Sequence, residues 1–203
     1  MSIEDDSRPM TDRPTGFPPT LLDIDYAAEA SRDLSATAAV ADGMLVLRGG
    51  GPGTIAGHPF SADSYRDVVV DASVGLVAGD DADLAGIFVR QADARRFVVA
   101  AFSPAGHVYV ASVDGEGRPV AEGPLSGDVP FERGVGSFNR VTIVTFGPSL
   151  VVVLNGTVLV HLAVDERFAA GYAGGFLQQG PTSGEARAAV RWAQVRAVLA
   201  DQR

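Results

Sequence analysis

The sequence contains no cysteine and no lysine, a single tryptophan, three histidines, and no apolar run long enough to span a bilayer. Without cysteine, no disulfide can staple the fold and no thiolate can hold a metal, so a packed core must supply the stability. The longest apolar stretch, 141–154, is broken by Gly147 and Pro148 and falls short of the ~20 residues a membrane helix needs. All 16 basic residues are arginine, as expected of a GC-rich coding sequence, and 25 acidic residues leave a formal charge of −9. A field of that sign repels phosphate backbones and anionic lipid, which excludes nucleic acid and membrane insertion as expected partners.

What is present is apolar and heavily punctuated. Hydrophobic residues make up 46% of the 203, enough for one sizeable core. Residues 1–19 differ from the rest: four prolines and four acidic side chains, with little to bury, predict a flexible, disordered leader. The leader has neither the basic start nor the apolar run of a secretory signal, so a cytoplasmic location is expected. The domain proper is expected to cover 20–203.

Within that domain, 21–26 is predicted as a strand and the alanine-rich remainder up to Gly43 as connection, because no apolar stripe recurs there at helical spacing. From Gly43 onward the period is two, and Gly, Pro, Asp or Asn interrupts the apolar runs every 8–12 residues. Strands are predicted at 44–48, 65–77, 84–91, 96–102, 106–112, 140–146, 149–155, 157–163, 172–179 and 187–199. No strand–helix–strand spacing occurs, so the fold class expected is all-β: a two-sheet antiparallel sandwich of jelly-roll type. In 65–77, Val68, Val70, Ala72, Val74 and Leu76 fall on one face and Asp67, Asp71 and Ser73 on the other. Asn155-Gly156, between two β-branched runs, supplies the two positive-φ residues of a type I′ hairpin turn. Pro104 and Gly106 mark a second reversal, and the Gly- and Pro-rich 114–139 is expected to be a long crossover between halves.

Several segments taken in order resemble the concanavalin A-like and laminin G-like jelly-roll superfamily, including bacterial domains described as 3-keto-disaccharide hydrolase-like. They are Gly86-Ile87-Phe88-Val89-Arg90, the paired runs 96–102 and 106–110, Asn139 opening a strand pair, 150–154 closed by Asn155-Gly156, the Gly-rich 171–176 and the final run 189–198. The resemblance covers roughly residues 20–199. It departs where the family often carries an aromatic–Asp pair in its last strand: here stands Trp192-Ala193, so no role of that Asp is carried over, and no catalytic residue either.

The chemistry-bearing residues are sparse. A retaining glycosidase needs two carboxylates about 5 Å apart. Asp67 and Asp71 share a strand face, but four residues of rise separate their α-carbons by roughly 13 Å, so they read as solvated strand carboxylates. His58, His107 and His161 lie on separate segments without ligand spacing and are expected at the surface. Asp80, Asp81 and Asp83 form the one metal candidate: their oxygens suit Ca²⁺, although Asp and Gly are also ordinary turn formers. On a jelly roll, a sheet face can cradle a ligand, and Arg90, His107, Tyr109 and Gln178 are the candidate lining. Arg offers paired donors and Tyr a stacking plate. Arg90 could equally pair with Asp67 or Asp71 across the sheet. Trp192 is expected in the core. The resulting expectation is a non-catalytic binding or interaction module recognising a glycan or a protein partner. The alternatives are a carbohydrate-active enzyme of glycoside hydrolase type, or a structural subunit of an oligomer or larger assembly docked through its leader.

Overall fold

The computed structural model describes residues 20–114, 118–125 and 129–198; the leader 1–19 and parts of the predicted crossover lie outside the described residues. The chain forms two antiparallel sheets. Strands β1 (Thr20–Asp25), β2 (Arg32–Ser35), β3 (Ala38–Ala41), β4 (Met44–Arg48), β6 (Val68–Ala78), β11 (Phe138–Phe146), β12 (Ser149–Leu154), β13 (Thr157–Ala163) and β15 (Arg187–Ala197) make the first. Strands β5 (Ile55–Pro59), β7 (Leu84–Asp93), β8 (Arg96–Phe102), β9 (His107–Asp114), β10 (Arg118–Pro124) and β14 (Tyr172–Gln178) make the second. The nine-stranded sheet runs β13-β12-β11-β6-β15-β4-β3-β2, with β1 also on β15; the six-stranded sheet runs β10-β9-β8-β7-β14-β5. Among the described residues no helix is long and apolar enough to cross a membrane.

The predicted alternation in β6 is realised. Val68, Val70, Ala72, Val74 and Leu76 are all buried between the sheets, where they share one cluster with Ile87, Val89, Val98, Ala100 and Leu177 of the facing sheet. The hairpin at Asn155 and Gly156 forms with φ of 47° and 87° and sets β12 against β13 with Leu154 opposite Thr157. The Asn155 amide is also tied down, since its oxygen accepts from Arg140 N (2.7 Å) and its nitrogen donates to Pro130 O (2.8 Å). The reversal at Gly106 (φ 90°) closes β8 onto β9 by a hydrogen bond from Gly106 N to Ser103 O.

Four expectations are corrected. The segment after Tyr26 is a short 3-10 turn followed by β2 and β3, not a connection. Asp42 and Gly43, both at positive φ, make the β3–β4 hairpin there. β5 was not expected either; it closes one edge of the six-stranded sheet against β14. The crossover 114–139 contains β10, which folds back on β9 as the other edge strand, so only the chain after Pro124 passes between sheets. Finally, Trp192 is not in the core. A bulge between Val190 and Trp192 shifts the alternation of β15, so that Val190, Ala193 and Val195 point inward. The half-buried Trp192 lies on the outside of the nine-stranded sheet, with the Arg140 guanidinium 5.9 Å from its ring centroid.

Candidate functional site

The alternation of the six-stranded sheet assigns its outward face. Ala85, Ile87 and Val89 on β7, Ala100 on β8, Val110 on β9 and Ala173 and Leu177 on β14 belong to the core between the sheets. Their neighbours along each strand must point away from it. That face carries a second apolar cluster of Phe88, Phe97, Val99, Ala101, Ala111 and Phe176, against which Leu84, Tyr109 and Val113 pack. Phe97 sits between the other two rings, 6.3 Å from Phe88 and 6.1 Å from Phe176. Two glycines make room for this arrangement. A Cβ on Gly174 would run into the Phe88 ring and the His58 carbonyl, and one on Gly57 would meet Phe88 Cε1 at 3.2 Å. A cleft of about 190 Å³ opens beside the rings, lined by Ile55, Gln91, Ala94, Phe97 and Phe176.

Three of the four predicted ligand residues stand on this face. Tyr109 pairs with Glu122 on β10 and Ala101 on β8. Burial, and then the nearby Glu122 carboxylate, raise the Tyr109 pKa, so its hydroxyl stays a hydrogen-bond donor. Gln178 pairs with Leu84 and Ile55. His107, exposed, continues the same alternation of β9 two residues before Tyr109. His107 and Gln178 lie three strand spacings apart, about 14 Å at ~4.8 Å per strand. They border the apolar patch at that end without converging on one small ligand. Glu122 is the only carboxylate on this face along the interiors of the described strands whose side chains are described.

The fourth, Arg90, does not belong to the face. A bulge at the end of β7, where Arg90 takes φ 53°, breaks the alternation and turns the side chain inward. There it is 2% exposed and bridges to the other sheet: Nε and Nη2 donate to Arg66 O (3.3 and 3.2 Å), Nη2 donates to Gly147 O (2.7 Å), and Asp67 Oδ1 lies 3.5 Å away. Burial lowers its pKa, with Asp67 opposing and Arg66 reinforcing. Arg90 is therefore a staple between sheets: its ion pair with Asp67 reaches the facing sheet, where the sequence reading had placed it across neighbouring strands of one sheet.

The carboxylate expectations also change. Asp67 is partly exposed and accepts from Gly147 N at 2.8 Å. Asp71 is not solvated: at 1% exposure it is covered by a forked pair with Arg140, accepts from Thr142 Oγ1 (2.9 Å), and has Arg196 3.8 Å away. The two do not form a catalytic pair.

Asp80, Asp81 and Asp83 do not assemble into a calcium cage; among the described residues no three His, Asp or Glu side chains converge as a ligand set. Asp83 is fully buried and its oxygens are engaged by the protein. Oδ2 accepts from Asp80 N (2.7 Å) and Ser183 Oγ (2.9 Å), and Oδ1 from Gly180 N (2.7 Å). Asp80 Oδ1 accepts from Ala82 N, while Asp81 faces solvent. The buried carboxylate thus ties the β6–β7 turn to the β14–β15 loop. His107 and His161 are at the surface as expected, whereas His58 is half-buried and desolvation lowers its pKa.

The phenylalanines, Gln91 and Glu122 were missed in the sequence. β7 and β8 read as unbroken apolar runs, Ala85-Gly86-Ile87-Phe88-Val89 and Phe97-Val98-Val99-Ala100-Ala101-Phe102, in which both faces look like core.

No protein-family model matches the chain, and no curated protein matches it in sequence. Solved structures do match. The carbohydrate-binding module CBM66 from Bacillus subtilis has a TM-score of 0.60 at 14% identity, over 84% of this chain and 93% of that one. A Bacillus subtilis protein of unknown function with a galectin-like fold has a TM-score of 0.62 at 11% identity, over 90% and 97%. The catalytic domain of an endo-1,3-beta-glucanase (laminarinase) from Thermotoga petrophila has a TM-score of 0.56 at 12% identity, over 79% and 80%. At such identities the likeness establishes the fold alone, a two-sheet jelly roll, as expected from the order of the sequence segments.

Proposed function

We propose that the protein is a non-catalytic binding module that takes a glycan on the outward face of its six-stranded sheet. The observation carrying this reading is the composition of that face: the half-buried Tyr109 ring with the hydrogen-bonding side chains of His107 and Gln178, set around a buried floor of Phe88, Phe97 and Phe176. Sugar rings present an apolar C–H face and an equatorial rim of hydroxyls, so flat rings with polar groups at the border suit them. The ~14 Å between His107 and Gln178 is the span of two to three sugar units rather than one.

The fold hosts both binding and hydrolysis, since a carbohydrate-binding module and a laminarinase catalytic domain are among its neighbours. The acid content of the face favours binding: glycoside hydrolysis uses two carboxylates, and Glu122 stands without a second along the described strand interiors. The test is a panel of soluble oligosaccharides measured by titration calorimetry and, in parallel, for reducing-end release. Binding without turnover is expected, weakened at least tenfold by Tyr109→Ala. Hydrolysis abolished by Glu122→Gln would replace this reading with a glycosidase.

A further inference from the structure

Arg90 is only partly accounted for by its role between the sheets. Among the described residues, Asp42, Arg90 and Asn155 take positive φ without being glycine. Asp42 and Asn155 do so in hairpin turns that need it, whereas Arg90 does so inside β7 and at 2% exposure. Backbone held in that region outside a turn clusters at ligand sites, where the surroundings over-determine it. The side chain also has donors to spare. Of the five N–H groups of a guanidinium, Nε gives its one to Arg66 O and Nη2 gives its two to Arg66 O and Gly147 O. Both N–H groups of Nη1 are left without a partner among the described residues, and Nη1 is not fully enclosed by protein.

The space beside it is a cleft of about 270 Å³ where the β7 bulge, the β11–β12 turn and the β13–β14 connection meet, its lining including Arg66, Arg90, Gly147, Pro148, Asp165 and Glu166. Pockets for drug-sized ligands begin at roughly 300 Å³, so this one holds a single ring and not a chain. Two guanidiniums line it. Arg66 is exposed and makes no ion pair among the described residues. Arg90 has one carboxylate near, Asp67 at 3.5 Å, which is itself engaged by Gly147 N. The β13–β14 connection adds two carboxylates. Asp165 is turned to Arg167, accepting from its N (2.9 Å) and Nε (3.2 Å), while Glu166 is exposed and makes no ion pair among the described residues.

We propose that this cleft binds a single hexuronate ring, whose carboxylate accepts from Arg90 Nη1 and Arg66 and whose hydroxyls donate to Asp165 and Glu166. An apolar occupant would strip water from Nη1 and give nothing back. A neutral sugar would hydrogen-bond there but leave the buried cation as poorly compensated as before. A carboxylate supplies charge-assisted bonds, about twice as strong as neutral ones, and is the group a guanidinium edge matches in shape. The two acids in the lining add the second half of the specificity. They disfavour a phosphate dianion, and they require donors from the ligand, which the hydroxyls of a sugar acid provide. The cleft shares no residue with the outward sheet face, so this inference does not rest on the glycan reading above.

The test is titration of the isotopically labelled full chain with glucuronate, with its uncharged isostere glucuronamide and with inorganic phosphate, followed by amide resonances. Glucuronate should give saturable shifts at Arg66, Gly147 and Glu166, and glucuronamide and phosphate should each bind at least tenfold more weakly. Substituting Arg90 would also break the staple, so the diagnostic variant is Arg66→Gln, which keeps the Arg66 carbonyl that Arg90 uses. With an unfolding midpoint matching the parent's, it should bind glucuronate at least tenfold more weakly. Methyl glucuronide bound as well as glucuronate identifies the ligand as the end group of a glycan, and its exclusion identifies a free sugar acid; both keep the proposal. No saturable shift, shifts confined to Ala101, Tyr109 and Ala111 on the sheet face, glucuronamide equal to glucuronate, phosphate tighter than either, or parent-like affinity in Arg66→Gln each overturns it.

Discussion

Replacing Asp83 by alanine separates the two roles open to the acidic turn between β6 and β7. In the structure the Asp83 carboxylate is fully buried and accepts from Asp80 N, Gly180 N and Ser183 Oγ. Alanine leaves Gly180 N–H and the Ser183 hydroxyl without that acceptor in a buried site, at about 1–3 kcal/mol each. Asp80 N lies nearer solvent and adds less. The expected loss is about 3–5 kcal/mol, which for a domain of this size lowers Tm by roughly 10 °C. Asp83→Asn keeps one oxygen, placed best on Gly180 N, and sets its amide against Asp80 N and a hydroxyl that can turn to accept; about 1–2 kcal/mol should be lost. Urea denaturation of the three proteins, with and without millimolar Ca²⁺, reads both roles. A graded loss of stability independent of calcium supports the tie between loops. An alanine variant within ~1 kcal/mol of the parent, or a parent whose midpoint rises with Ca²⁺ while the variant's does not, refutes it.

Two further perturbations probe the staple and the edge strand. Arg90→Met should cost about 2–4 kcal/mol in urea denaturation by stranding Gly147 O and leaving Arg66 O with Thr145 Oγ1 alone, and Arg90→Lys should recover little because an ammonium cannot span both acceptors as the fork does; full recovery by lysine would contradict the fork. His58 is held below its usual pKa by desolvation, so the unfolded chain takes up a proton that the folded chain refuses as pH falls through ~6.5. Stability should therefore decline from pH 7 toward pH 5.5, with a slope no steeper than about 1.4 kcal/mol per pH unit from this group. His58→Gln should flatten that interval in a series of urea melts, and an unchanged slope would remove His58 as the cause.

Much of the architecture was legible along the chain because β-structure writes itself as period two. The alternation of β6, the Asn155-Gly156 hairpin and the reversal at Gly106 are each consequences of neighbouring residues, and each is found where those residues stand. The Asp42-Gly43 signal was of the same kind, but the short alanine-rich β3 beside it hid the hairpin, alanine being as compatible with a connection as with a strand. Bulges were not legible. They moved Arg90 off the outward face of the six-stranded sheet and Trp192 out of the core, and each depends on which strand lies opposite, a matter of partners rather than of local sequence.

The sequence by itself determined an all-β sandwich without disulfides, and the strands that alternate. Those properties follow from residue type and local conformational preference. Only the tertiary structure decided which of the two apolar sides of β7 and β8 is the core and which is the outward aromatic face. It alone brought Tyr109 and Phe176 onto one surface, and brought Gly180 N and the Ser183 hydroxyl, 97 and 100 residues away, to the Asp83 carboxylate. The physical reason is that register and the stacking of sheets join residues far apart in the chain, and a continuous apolar run is equally content with either side inward.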